Sequence, residues 1–203
     1  RLDYYEAYSY ESILLSLIDN MNIVLQQLVP GLTISVVDLG PVVSEEGNIG
    51  RLIQLMSLKN GKEIPFSYES EGIKKIVSIL QLLIVVYNNP SITVAIDEMD
   101  SGIFEYLLGE LLNIISEKGK GQLIFTSHNL RPLETIDKGF IAFTTTNPDN
   151  RYIRLTNVKG NNNLRDFYYR DIVLGEQSEQ VYNPTNNFEI ALAFREAGEA
   201  FGS

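Results

Sequence analysis

The stretch Ser91 to Gly102, S-I-T-V-A-I-D-E-M-D-S-G, constrains this chain more than any other. Ile92 to Ile96 is a short, mostly β-branched apolar run that passes without alternation into Asp97, Glu98 and Asp100. A run of that kind predicts a strand buried on both faces of a sheet, which favours a parallel α/β arrangement over a half-solvated antiparallel one. Two adjacent acids stand at its carboxyl end, where open α/β sheets bind their ligands. Such acids are costly to bury unless a cation or a proton transfer uses them. The same residues also fit a strand ending in a polar turn, with Asp100-Ser101-Gly102 supplying turn and helix-cap chemistry.

A length of 203 residues with 44% hydrophobic content allows one domain or one large lobe with a real core. The net charge of -10 repels phosphate backbones, so nucleic acid is not the obvious partner of this surface. The absence of cysteine removes disulfides and thiolate metal sites, and fits a cytoplasmic protein. The densest apolar run, Ile79 to Val86, is interrupted by Gln81 and is too short to span a bilayer, so no membrane partner is expected. Arg1 stands first, with no basic-then-apolar leader after it, and the expectation is a piece of a longer protein.

Taken in order, apolar residues from Ile13 to Leu28 recur at three- and four-residue spacings and predict an amphipathic helix over about 10–29, closed by Pro30-Gly31. Leu32 to Leu39 predicts a strand, and Glu45 to Asn48 a loop. Arg51 to Leu58 and Lys62 to Tyr68 flank Asn60-Gly61, a strong hairpin signal. A largely apolar helix follows over about 72–87, stopped by Asn88-Asn89-Pro90. After the acidic strand, a second helix carries Leu107, Leu108, Leu111 and Leu112 and ends at Gly119, where a left-handed cap is expected. Gln122 to Thr126 is another short strand, leading into Ser127-His128-Asn129. A short helical turn around Pro132, strands at 139–145 and 152–156, and a last helix over 187–197 complete the order. The fold class expected is α/β: a mostly parallel sheet flanked by helices, with antiparallel β-ribbons at its edges.

Three polar stations lie in this lobe. Ser70 to Lys75 opens a helix with Gly72 inside it, and a helix N-terminus presents unpaired N–H groups and a favourable dipole to an anion. Lys74 and Lys75 add positive charge, although Ser70 as an ordinary N-cap accounts for the same pattern. Asp97-Glu98 is the second station. His128, the one histidine, is the third, and a histidine after a buried strand also fits a hydrogen-bonded structural role.

That order resembles the second half of the nucleotide-binding domain of ABC-type ATPases, in the SMC/RecF-like branch and among the AAA-family ATPases of bacterial phage defence. Ser70-Glu71-Gly72-Ile73-Lys74 stands for the signature motif, Ile96-Asp97-Glu98 for the end of Walker B, Asp100-Ser101-Gly102 for the D-loop, and Thr126-Ser127-His128 for the switch-histidine loop. The resemblance covers about Leu32 to Thr156 and extends toward Leu164 to Asp171. It implies a P-loop NTPase head that uses ATP and Mg²⁺, with Asp97 on the metal. Glu98 would polarise the attacking water, and His128 would donate to the γ-phosphate or position that water. Ser70, Gly72 and Lys74, with Asp100 and Ser101, would contact nucleotide across an ATP-dependent homodimer formed through the signature motif. DNA or an effector protein would be the object of the cycle.

The departures are as specific. No G-x-x-x-x-G-K-[S/T] occurs, since Gly61-Lys62 and Gly119-Lys120 lack the upstream glycine and the following hydroxyl. Glu71 replaces the usual first glycine of the signature and Ile73 the usual glutamine. The domain reading is therefore a helical lead-in at 1–29, ending an insertion; the C-terminal lobe of a head at 30–160, without its Walker A lobe; and an extension at 161–203. Alone, the chain is expected to be inactive. Two other functions fit the residues: a Mg²⁺-dependent nuclease using Asp97, Glu98 and Asp100, and a non-catalytic interaction lobe.

Overall fold

Asn60 and Gly61 both hold left-handed backbone, with φ of 51° and 77°, as a two-residue hairpin between right-twisted strands requires. They join β2 (Ile49–Lys59) to β3 (Lys62–Pro65), and β2 pairs on its other side with β1 (Leu32–Val43), all antiparallel. The computed structural model describes residues 4–43, 47–154, 164–166, 168–169, 179–183 and 185–200, divided between two compact units, Arg1–Thr135 and Ile136–Ser203.

In the first unit, α1 (Tyr4–Leu28) buries Ile18, Met21 and Leu25, three positions at helical spacing, and packs on β1. Asn22 fastens this packing: its amide donates to the Ile34 carbonyl and accepts from the Ile34 N–H, both at 2.8 Å, as a strand neighbour would. β1 runs four residues past the expected Leu39 because a bulge lies between Asp38 and Gly40. Gly40 has φ 107°, its N–H donates to Asp38 at 2.8 Å, and Arg51 pairs with the same carboxylate.

The chain then turns through Phe66–Tyr68 into α2 (Glu71–Asn88), which buries Ile76, Val77, Ile79, Leu80, Leu83 and Val86. β4 (Thr93–Ile96), α3 (Glu105–Lys118) and β5 (Gln122–Phe125) form a strand–helix–strand unit with β4 and β5 parallel, and α4 (Pro132–Thr135) follows.

A mostly parallel sheet is found only at this pair; the other described strands pair antiparallel. β4 is also not buried on both faces. Val94 and Ile96 face the core, but Thr93 and Ala95 are exposed, and on β5 Ile124 is 53% exposed. The apolar run reflects strand propensity and one buried face, on the side where α2 packs. Gly119 is likewise not a left-handed cap: its φ and ψ are -64° and 140°. A Cβ there would lie 2.5 Å from the Ile115 carbonyl oxygen, so close approach explains this glycine.

In the second unit, the expected strand at 139–145 is a 3₁₀ turn, Lys138–Phe140, followed by β6 (Phe143–Thr144), which pairs antiparallel with β7 (Tyr152–Ile153). α5 (Asn187–Ala200) is the expected last helix, three residues longer. Of the stretch Leu164 to Asp171, residues Phe167, Arg170 and Asp171 lie outside the described residues, as do Glu45, Glu46 and the loop at 160–163. Leu164 is buried, and the Tyr168 ring stacks on Phe143 at 5.1 Å between centroids. No helix among the described residues is long and apolar enough to cross a membrane.

Candidate functional site

The parallel pairing of β4 with β5 sets Ile96 opposite Phe125, so the two polar sequences that follow leave the sheet side by side. Beyond Ile96 the chain cannot continue as a strand: Glu98 sits at φ 45°, and Ser101 N–H donates to the Glu98 carbonyl at 3.1 Å. A glutamate in left-handed backbone costs about 1–2 kcal/mol, and such strain persists only where neighbours over-determine it. β5 supplies that support. Thr126 accepts the Glu98 N–H on its hydroxyl at 2.8 Å, donates that hydroxyl to Asp97 Oδ1, and accepts Met99 N–H on its carbonyl at 3.0 Å.

Two residues further on, the Asp100 carboxylate accepts the backbone N–H groups of His128, at 3.2 and 3.3 Å to its two oxygens, and of Asn129 at 3.0 Å. The loop after β4 is therefore bound to the loop after β5 twice. The outcome is a facing pair: His128 Nε2 stands 3.8 Å from Glu98 Oε1, with their side chains 86% and 60% exposed. A contact this open to water is weak.

The start of α2 meets the same loop. Ser70 caps the helix, its Oγ accepting Ile73 N–H at 3.4 Å. A Cβ on Gly72 would fall 2.2 Å from the Gly102 carbonyl oxygen, and a Cβ on Gly102, which holds φ 72°, would meet Gly72 N at 3.1 Å. Gly72 is required by that approach of backbones, and Gly102 chiefly by its left-handed φ. Lys75 Nζ reaches over to donate to the Asp97 carbonyl at 3.2 Å, whereas Lys74 pairs at 3.0 Å with Glu71 on its own helix. From below, buried Ser57 on β2 donates to Glu69 at 2.6 Å, fixing the residue just before the cap.

The structure thus gathers Asp97, Glu98, Asp100, Ser101 and His128 at the carboxyl ends of β4 and β5, and sets Gly72 against Gly102. Thr126 falls in the switch-histidine stretch without a task of its own, and sequence spacing does not mark Ser57 at all; their roles come from contacts 28 and 12 residues away in the chain. Among the described residues no three His, Cys, Asp or Glu side chains form a group able to hold a metal. A cation held by protein carboxylates alone does not fit this arrangement. One exposed carboxylate, Asp97, fits the lesser share that Mg²⁺ asks of a protein when phosphates and water complete its octahedron.

The geometry defines a class first: strand ends bearing an acid pair and a histidine beside a glycine-containing helix start, in an α/β lobe. Comparison with solved structures places that lobe on the fold of SMC ATPase heads. A chain from work on the structural biochemistry of ATP-driven dimerization and DNA stimulated activation of SMC ATPases superposes with a TM-score of 0.56, covering 85% of this chain and 99% of that one at 12% identity. The Smc head domain with a coiled coil and joint from Pyrococcus yayanosii gives a TM-score of 0.51 at 14% identity, covering 72% of this chain and 28% of that one. No protein-family model matches the sequence. No curated protein does either. What is shared is the fold.

Proposed function

We propose that this chain is the hydrolytic lobe of an ATP-binding head, of the type found in DNA-maintenance and phage-defence ATPases, that dimerises on ATP. The observation that carries the reading is the Glu98–His128 pair, 3.8 Å apart at adjacent parallel strand ends, with both backbones held by Thr126 and Asp100. The SMC-head fold supports it, and the neighbour's ATP-driven dimerization supplies the assembly: two heads joined through the segment around Ser70 and Gly72.

In this reading Glu98 accepts a hydrogen bond from the water that attacks the γ-phosphate and draws off its proton. His128 donates from its imidazole to the transferring phosphoryl group. Asp97 holds Mg²⁺, which when bound supplies the positive charge that offsets the phosphates. Ser70, Gly72, Lys74, Asp100 and Ser101 face the nucleotide of the partner head. Lys74 must leave Glu71 to do so, which an exposed pair permits at small cost. Residues 1–29 are assigned to a lead-in, 30–160 to the lobe and 161–203 to an extension.

The 203 residues contain no phosphate-cradling loop, so the cradle comes from another stretch of polypeptide. The object of the cycle is DNA or an effector protein, and with a net charge of -10 this lobe does not itself supply the basic surface that DNA requires. The nuclease reading finds no support in the geometry, because among the described residues no three carboxylate or histidine side chains form a metal group and the Asp100 carboxylate is committed to the His128–Asn129 backbone. Incubation of the purified chain with Mg²⁺ and ATP tests the assignment: no turnover is expected alone, and turnover on adding the polypeptide that carries the phosphate loop. Sustained hydrolysis by the chain alone would refute it.

A further inference from the structure

Thr126 is exposed and opens the Thr126-Ser127-His128 stretch, where the sequence gives only His128 a task, yet it is the residue through which β5 grips the acidic turn. Its hydroxyl makes two bonds of opposite sense, accepting from the Glu98 N–H at 2.8 Å and donating to Asp97 Oδ1. A hydroxyl can do both at once because it has one proton and two lone pairs. The Thr126 carbonyl then takes Met99 N–H, at 3.0 Å. Three consecutive residues, Asp97, Glu98 and Met99, are thus referred to one residue of the neighbouring strand. The middle one is the glutamate held at φ 45°.

We propose that Thr126 is a positioning residue for hydrolysis: its hydroxyl locks Glu98 in the left-handed conformation that turns its carboxylate toward His128, and orients Asp97 in the same act. The inference rests on the ATPase reading for its consequence, but its structural half stands apart from it. Without the hydroxyl, the Glu98 N–H loses its acceptor and the backbone is free to relax to negative φ, as an L-residue prefers. That rotation carries the carboxylate away from the position it shares with His128. Asp100 still ties the His128 backbone, so the histidine stays while the glutamate departs. The loss falls on the chemical step and leaves nucleotide binding intact.

The test is Thr126→Val, which keeps the branched shape at an exposed site and removes the hydroxyl, set beside Thr126→Ser, which restores it. In the full-length ATPase, Thr126→Val should lower kcat by about tenfold or more with KM changed less than about twofold. Thr126→Ser should return kcat to within about threefold of wild type, and Thr126→Val added to Glu98→Gln should lower the rate no further. Hydrogen exchange, read without nucleotide, should show the Glu98 amide about tenfold less protected in Thr126→Val and unchanged in Thr126→Ser. Unchanged Glu98 protection in Thr126→Val overturns the proposal, as does an unchanged kcat or an equal rise in KM. A wild-type protein that hydrolyses no ATP overturns the ATPase reading instead, and Glu98 protection then still decides whether Thr126 locks the turn.

Discussion

Replacing Gly72 by alanine puts a methyl group 2.2 Å from the carbonyl oxygen of Gly102 and 3.2 Å from its carbon. Carbon and oxygen need more than 3 Å, and the obstacle is backbone, so no side-chain rotation relieves it. Either the first turn of α2 or the loop at 100–102 must retreat by about an ångström. Overpacking of this kind costs about 1–3 kcal/mol, and retreat of α2 also strains the Ser70 cap, so we expect about 2–3 kcal/mol. For a chain of this size that lowers Tm by about 4–12 °C. Gly102→Ala meets Gly72 N only at 3.1 Å but must hold φ 72°, so it should cost about 1–2 kcal/mol. Because both substitutions push the same two segments apart, the double variant should lose less than the sum of the two. Urea unfolding followed by far-UV circular dichroism suits a chain without tryptophan. If Gly72→Ala lies within about 0.5 kcal/mol of wild type, the approach of α2 to this loop is wrong, and Gly72 serves only to admit a phosphate.

Two further outcomes follow from the backbone. At φ 45° glycine is more at ease than alanine, so Glu98→Gly should be more stable than Glu98→Ala by about 1 kcal/mol; the reverse order in thermal unfolding would place Glu98 in ordinary backbone. The Gly40 N–H, and secondarily Arg51, hold the Asp38 carboxyl below its usual value. A carboxyl lowered on folding stabilises above its unfolded pKa, about 3.9, and that contribution is lost as pH falls through the folded value. Asp38→Asn should therefore be less stable than wild type at pH 7 and indistinguishable from it in strong acid; a difference that persists there would show that the bulge does not depend on the charge.

Much of the fold was legible wherever the cause is local. Asn60-Gly61 marks its hairpin because both residues tolerate positive φ, and Ser70 marks a helix start because its side chain caps the third N–H beyond it. That the acids of 97–100 and His128 would lie together was legible because both follow short apolar strands, which pair in parallel and end side by side. What escaped depends on distant partners. Nothing in Ser57 announces Glu69, nothing in Thr126 announces Asp97 and Glu98, and the bulge at Asp38 arises from the pairing of β1 with β2. The apolar run before Asp97 misled on burial because its composition is that of a fully enclosed strand, whereas Thr93, Ala95 and Ile124 share an open face. Gly72 was legible as a glycine with a purpose, but the Gly102 backbone that demands it could not be read from spacing.

The central claim is that Glu98 drives hydrolysis from its place beside His128. Glu98→Gln keeps the side chain's shape and removes its basicity, so its effect on ATP turnover by the full-length protein tests that claim most directly. We predict turnover slowed by about 10²-fold or more, with ATP binding retained and nucleotide-bound dimers longer lived. Turnover equal to wild type would contradict the account and remove Glu98 from the chemistry.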